Sequence, residues 1–159
     1  MTTLNPHGAM EMLAKLGLEL PPAPKPVASY VPAVRTGNLL VVSGQLPFQS
    51  GKLIATGKVP SAVSLDIAQE CARQCVLNAL AVVAGECGGL GRVSRIVRLG
   101  VFVACDDGFA DQPKVANGAS DLLQQIFGES GRHARAAVGT NALPLGACVE
   151  VEMMVEVHP

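Results

Sequence analysis

The chain has 159 residues, a formal net charge of −1 and a hydrophobic fraction of 49%, a size that fits one domain able to bury roughly 70% of the surface its unfolded form exposes. No apolar run approaches the roughly 20 residues needed to cross a bilayer. No Lys/Arg-rich stretch offers the positive footprint of a protein that neutralises several phosphates, so neither a membrane nor nucleic acid is an expected partner. So much apolar surface on so small a domain is most simply used in subunit contacts, and a homo-oligomer is expected.

The first residues, Met1-Thr2-Thr3-Leu4-Asn5-Pro6, lack the basic flank and apolar centre of a signal peptide, and a cytoplasmic location is expected. The cysteines Cys71, Cys75, Cys87, Cys105 and Cys148 make an odd count. Most sit in apolar patterns, where a reduced thiol behaves as a small hydrophobe. Cys71 and Cys75 stand four apart on a helical pattern, but no histidine pair completes a metal site, and none is expected.

In chain order, residues 5–17 form a short amphipathic pattern, with Met10, Leu13 and Leu16 set against Glu11 and Lys15, and Gly17 as its stop. The proline-rich Leu20-Pro21-Pro22-Ala23-Pro24-Lys25-Pro26 reads as an extended linker. Residues 1–29 are therefore expected to be an N-terminal extension and 30–159 the domain proper. Val34-Arg35-Thr36-Gly37-Asn38 leading into Leu39-Leu40-Val41-Val42-Ser43-Gly44 predicts a hairpin turning at Gly-Asn, and Gln49-Ser50-Gly51-Lys52 predicts another turn.

From Ser64 to Glu86, Leu65, Ala68, Ala72, Cys75, Val76, Ala79, Leu80 and Val83 recur at helical steps, and Gly88-Gly89 stops them. Residues 92–103 return to strand character, closed by Asp106-Asp107-Gly108. A second helix is predicted over 111–127, ended by Gly128. Two strands follow, 133–140 and 147–157. In the last, Val149, Val151, Met153, Val155 and Val157 alternate with Glu150, Glu152, Met154, Glu156 and His158, the signature of a sheet covered on one face. The order β-β-β-α-β-α-β-β implies an α+β domain, a mixed β-sheet with two helices packed on one face and the other face left for another subunit. An arginine in one of these last strands, Arg135, and a carboxylate in the next, Glu150, would suit a small anionic substrate.

Tyr30 with Pro32-Ala33-Val34, the run Gly37 to Pro47, Arg98 to Val103, Val115-Ala116-Asn117, His133-Ala134-Arg135 and Val149-Glu150-Val151-Glu152 together resemble the Rid superfamily (reactive intermediate deaminases, formerly YjgF or L-PSP endoribonuclease) over residues 30–157. The resemblance implies a chorismate-mutase-like fold assembled as a homotrimer, with ligand clefts between neighbouring subunits. It also implies cofactor-free hydrolysis of 2-imino acids (enamine/imine intermediates) to 2-keto acids and ammonia.

Each candidate residue has a chemical rationale beside the resemblance. Arg135 offers a planar fork that matches a carboxylate through two parallel hydrogen bonds. Arg132 lacks such support and reads as a solvated loop residue. Glu150, fifteen residues after Arg135, stands where the family places the carboxylate that orients the attacking water, a general base and then acid; Glu152 and Glu156 share its side of the strand and read as polar surface. Tyr30, the only tyrosine, either closes the cleft or is a packing residue. Ser43 either bonds substrate or is a strand-end serine, next to a Gly44 that permits close backbone approach. Asn117 lies in the second helix, near the cleft or between subunits.

The chain departs from the family where many members carry a cysteine two residues after the arginine; here that residue is Ala137. Two other functions are open: a trimer that binds or senses a small carboxylate without catalysis, and the historical endoribonuclease activity. The near-neutral charge and the lack of tryptophan speak against RNA, which is normally held by basic surface and stacking aromatics.

Overall fold

The computed structural model describes residues 8–23 and 29–159. The start of the predicted first helix, 5–7, and residues 24–26 of the linker lie outside them. Helix α1 (Gly8–Lys15) is followed by strands β1 (Ala33–Thr36) and β2 (Leu39–Gln45), a small hairpin of β3 (Phe48–Gln49) and β4 (Lys52–Leu53), helix α2 (Leu65–Cys87), strand β5 (Val93–Ala104), helix α3 (Gln112–Phe127), and strands β6 (Ala134–Thr140) and β7 (Val149–Val157). Five strands form one sheet in the order β1-β2-β7-β5-β6. Only β5 and β6 run parallel, joined by the crossover through α3; the other neighbours are antiparallel.

The element ends follow local chemistry. Ser64 caps α2 by accepting a hydrogen bond from the Ile67 amide at 3.3 Å, and Gly88, at φ 75°, ends it with its own amide on the Ala84 carbonyl. The small hairpin turns at Ser50 and Gly51, both left-handed (φ 51° and 79°), the geometry that suits the right-handed twist of the flanking strands. Helices α2 and α3 pack at Gly118, where an added Cβ would strike the Gln69 carbonyl and come within 3.0 Å of the Gln69 Cα. This close approach is reinforced by the Gln69 side-chain amide, which donates to the Lys114 carbonyl at 2.7 Å.

Alternation in β7 decides the layers. Val149, Val151, Met153, Val155 and Val157 are buried beneath α2 and α3 together with Leu40 and Val42 of β2 and Leu99, Val101 and Val103 of β5. The intervening Glu150, Glu152, Met154 and Glu156 are only half-buried, on a face that no helix covers among the described residues. Phe102 lies opposite both Glu150 and Val138 on that face, and Met154 lies opposite Val41. The fold is thus the mixed sheet with helices on one side that the sequence implies. Helix α1 adds to the same core: Leu13 is 1% exposed and Ala9 4%, with Leu16, Leu18 and Leu20 packed against the cluster.

Candidate active site

Arg135 lies on β6, the edge strand. In the parallel register it is opposite Leu99, and Ala137 is opposite Val101. Leu99 and Val101 are fully buried under the helices, so Arg135 also turns to the helix side of the sheet. There its Nη1 donates to Asn117 Oδ1 at 2.9 Å and to Ser120 Oγ at 3.1 Å, both on α3. Residues three apart share one helix face, which is why Asn117 and Ser120 reach the same nitrogen. Nη1 carries two hydrogens and both are used. The edge formed by Nε–H and Nη2–H, a parallel donor pair that fits a carboxylate, has no protein partner among the described residues.

His133 continues the network. Its Nδ1 is 2.6 Å from the Gly131 carbonyl and its Nε2 is 3.0 Å from Ser120 Oγ. Burial first, and the Arg135 charge as well, lower its pKa against the opposing pull of the Gly131 carbonyl. Arg132 turns elsewhere and pairs with Glu129 at 3.3 Å on an exposed 3-10 turn.

Glu150 lies on the other side of the sheet. It sits between the buried Val149 and Val151 and opposite Phe102 of β5, so it projects from the uncovered face. Its carboxylate lies over Gly44: an added Cβ there would fall on Oε1 and stand 3.0 Å from Cδ and 3.3 Å from Cγ. The missing side chain at residue 44 therefore makes room for a carboxylate, not for an approaching backbone. Burial is the main cause of the raised Glu150 pKa, and the neighbouring Glu152 adds to it. Glu152 is neutralised in part by Arg98, 2.9 Å away, and Glu156 accepts from Ser94 Oγ at 3.3 Å.

Ser43 lies in the irregular stretch of β2 between Val42 and Gln45. Its hydroxyl donates to the Val31 carbonyl at 2.7 Å and its amide to the Pro32 carbonyl at 2.9 Å. These bonds fasten the segment that carries Tyr30, which is 51% exposed.

The candidate residues thus fall into two sets. Arg135 and Asn117 stand together on the helix side at the β6 edge. Glu150 stands on the uncovered face of β7, adjacent to the β2 strand that holds Ser43, and β5 separates β7 from β6. Sequence reasoning did not single out Ser120 or a positioning role for His133. A signal existed, since Asn117 and Ser120 are polar residues three apart among Val115, Ala116, Ala119, Leu122 and Leu123.

Among the described residues, no group of three His, Cys, Asp or Glu side chains is placed to hold a metal ion. All five cysteines are free, and burial pushes the Cys75 thiol well above its ordinary pKa, which keeps it protonated and inert. A cavity between α1, the segment after it and α2, lined by residues including Leu13, Leu20, Arg73 and Gln74, contains none of the candidate residues.

The mixed sheet with helices on one side makes this an α+β domain, with the Nε/Nη2 edge of Arg135 unpaired among the described residues at the sheet edge. The family described as "YjgF/chorismate_mutase-like, putative endoribonuclease" matches residues 11–157. Protein TCP17 of Trypanosoma cruzi is 44% identical over 147 residues, covering 92% of each chain. A 2-iminobutanoate/2-iminopropanoate deaminase of Dermatophagoides farinae is 32% identical, covering 92% of this chain and all of the relative. A crystal structure from Shewanella oneidensis, described as a "putative endoribonuclease", superimposes with a TM-score of 0.91 at 34% identity, over 94% of this chain and 99% of the other. The chain belongs to the YjgF family of the Rid superfamily.

Proposed function

We propose that this protein hydrolyses 2-imino acids to 2-keto acids and ammonia, without a cofactor and in a reducing, cytoplasmic setting that suits its free thiols. The observation that carries this reading is the Arg135 guanidinium: its Nη1 is tied to α3 by two hydrogen bonds while the Nε/Nη2 edge is left to bind a carboxylate. The Dermatophagoides relative, named as an imine deaminase, supports it.

One chain does not complete this site, because Arg135 and Glu150 leave opposite faces of the sheet. The reading therefore includes a homotrimer in which the uncovered Glu150 face of one subunit meets the Arg135 edge of the next, with Tyr30, Ser43 and Asn117 lining the cleft. Arg135 holds the substrate carboxylate. Glu150 accepts a proton from water as the water oxygen bonds to the imine carbon and the C=N π pair moves onto nitrogen. The protonated Glu150 then gives that proton to the nitrogen, making a carbinolamine. It next takes the hydroxyl proton and passes it to the same nitrogen as the oxygen forms the carbonyl, the C–N bond breaks and ammonia leaves with the bonding pair. The overall change is a hydrolysis with no net oxidation, so the chemistry requires no redox group. Base and acid assistance of this kind is worth about 10²–10⁴-fold. A raised Glu150 pKa brings the carboxylate closer to the value useful for both roles.

One observation favours a second reading. Ala137, directly along the strand from Arg135, places a methyl group where a thiol would add reactivity, and a trimer that binds a keto acid or related carboxylate without turnover needs only the arginine. The two are separated by coupling an amino acid oxidase or threonine dehydratase, which release 2-imino acids, to this protein. Faster keto acid appearance with wild type and none with Arg135→Ala supports the deaminase; no acceleration with any imine, from correctly assembled protein, contradicts it.

A further inference from the structure

We infer that Ser120 and His133 are positioning residues for Arg135, a hydrogen-bond relay that fixes the guanidinium so that its Nε/Nη2 edge faces the ligand; the inference rests on Arg135 as the carboxylate anchor. The direction of every link follows from donor chemistry. A carbonyl oxygen only accepts, so His133 Nδ1, 2.6 Å from the Gly131 carbonyl, carries the proton. In the neutral ring Nε2 is then a lone pair, and the Ser120 hydroxyl, 3.0 Å away, must donate to it. Ser120 has a single hydrogen, and once this is committed its oxygen turns lone pairs toward Arg135 Nη1 at 3.1 Å. From the backbone at Gly131 to the arginine no rotor is left free.

Two further observations support the relay. Ser120 is 6% exposed in the middle of α3, where a serine hydroxyl ordinarily bonds back to its own helix; here it bridges His133 and Arg135 instead. His133 meets Ser120 from α3, the Gly131 carbonyl from the preceding turn and the Arg135 charge from β6, and its burial beside that cation favours the neutral ring that leaves Nε2 an acceptor. An imidazolium would donate from Nε2 and turn the serine hydrogen toward the guanidinium. Without the relay, Asn117 alone holds Nη1, and the fork swings about one hydrogen bond.

The test uses the full-length assembled protein with two readouts, calorimetric binding of 2-ketobutanoate as a stable carboxylate and steady-state kinetics on a 2-imino acid generated in situ. Ser120→Ala and His133→Leu should each weaken keto acid binding and raise KM by about tenfold, the scale of one hydrogen bond to a charged group. Their kcat should stay near wild type. His133→Gln, whose Oε1 still accepts from Ser120, should bind nearly as wild type, a rescue that a merely structural staple does not predict. The inference is overturned if Ser120→Ala and His133→Leu bind keto acid as well as wild type, or if His133→Gln is as impaired as His133→Leu. A wild type that binds keto acid in this Ser120-dependent way but does not accelerate imine hydrolysis would leave the relay standing and remove the deaminase.

Discussion

Replacing Gly44 by alanine places a methyl group where the Glu150 carboxylate lies. The added Cβ falls on Oε1, with Cδ only 3.0 Å and Cγ 3.3 Å away, so the carboxyl group must move away by an amount on the order of 1 Å. Because the obstructing atoms are the end of a flexible side chain and not backbone, the fold accommodates the change; the carboxylate proposed as general base does not stay in place. A misplacement of about 1 Å in a reacting group costs roughly 10²-fold in rate, and loss of the base altogether about 10²–10⁴. Gly44→Ala should therefore lower kcat for imine hydrolysis about a hundredfold. Its KM should change by less than about twofold, because in the proposed cleft the substrate carboxylate is held by Arg135 of the neighbouring subunit, which the added methyl group does not displace. Steady-state kinetics beside a thermal melt checks this: a normal Tm with unchanged kcat would refute the claim that the carboxylate over Gly44 acts in the reaction.

Arg135→Ala should abolish imine hydrolysis and keto acid binding while the protein elutes as wild type does, since the side chain is anchored to α3 by two hydrogen bonds and not by core packing; a changed elution volume in gel filtration would contradict this. Glu152→Gln removes the charge that helps to raise the Glu150 pKa, so the acid limb of the kcat profile should move to lower pH. The sign for stability follows the same shift. A carboxyl whose folded-state pKa lies above its unfolded value contributes stability at low pH that is lost as pH rises through the folded value, and denaturant titrations of Glu152→Gln should show that loss reduced; an unmoved limb and an unchanged pH trend would remove the proposed coupling. Leu13→Ala deletes a side chain 1% exposed in the core and should cost about 2–5 kcal/mol. For a chain of this size that is a Tm fall of roughly 5–15 °C, whereas a change below about 2 °C would mean that α1 is a dispensable extension.

Much of the fold could be read from periodicity because one face of each element is buried. In β7 every second residue is apolar, and the structure buries those residues and leaves Glu150, Glu152 and Glu156 on the other side. The Gly37-Asn38 turn, the Ser64 cap and the Gly88 stop likewise announce their elements. The strand Ala134–Thr140 is different. Its small residues show no alternation, so nothing in the sequence says that Arg135 turns toward α3; only the pairing with buried Leu99 decides it. The same holds for Gly44, whose role depends on a carboxylate more than one hundred residues away. Ser120 and His133 are tied together across a helix and a turn, a tertiary contact that spacing alone does not reveal. Helix α1 has only eight residues, too few for periodicity to show that Leu13 reaches the common core.

The most direct measurement is a subunit-mixing experiment. Arg135→Ala and Glu150→Gln subunits, each expected to be inactive alone, are unfolded and refolded together in equal amounts and assayed for imine hydrolysis. If every cleft takes Arg135 from one copy and Glu150 from its neighbour, random assembly leaves both native residues in about a quarter of the clefts, and activity should return to about that fraction of wild type. A mixture that reassembles fully and stays inactive, or a Glu150→Gln protein as active as wild type, would contradict a shared site built on these two residues.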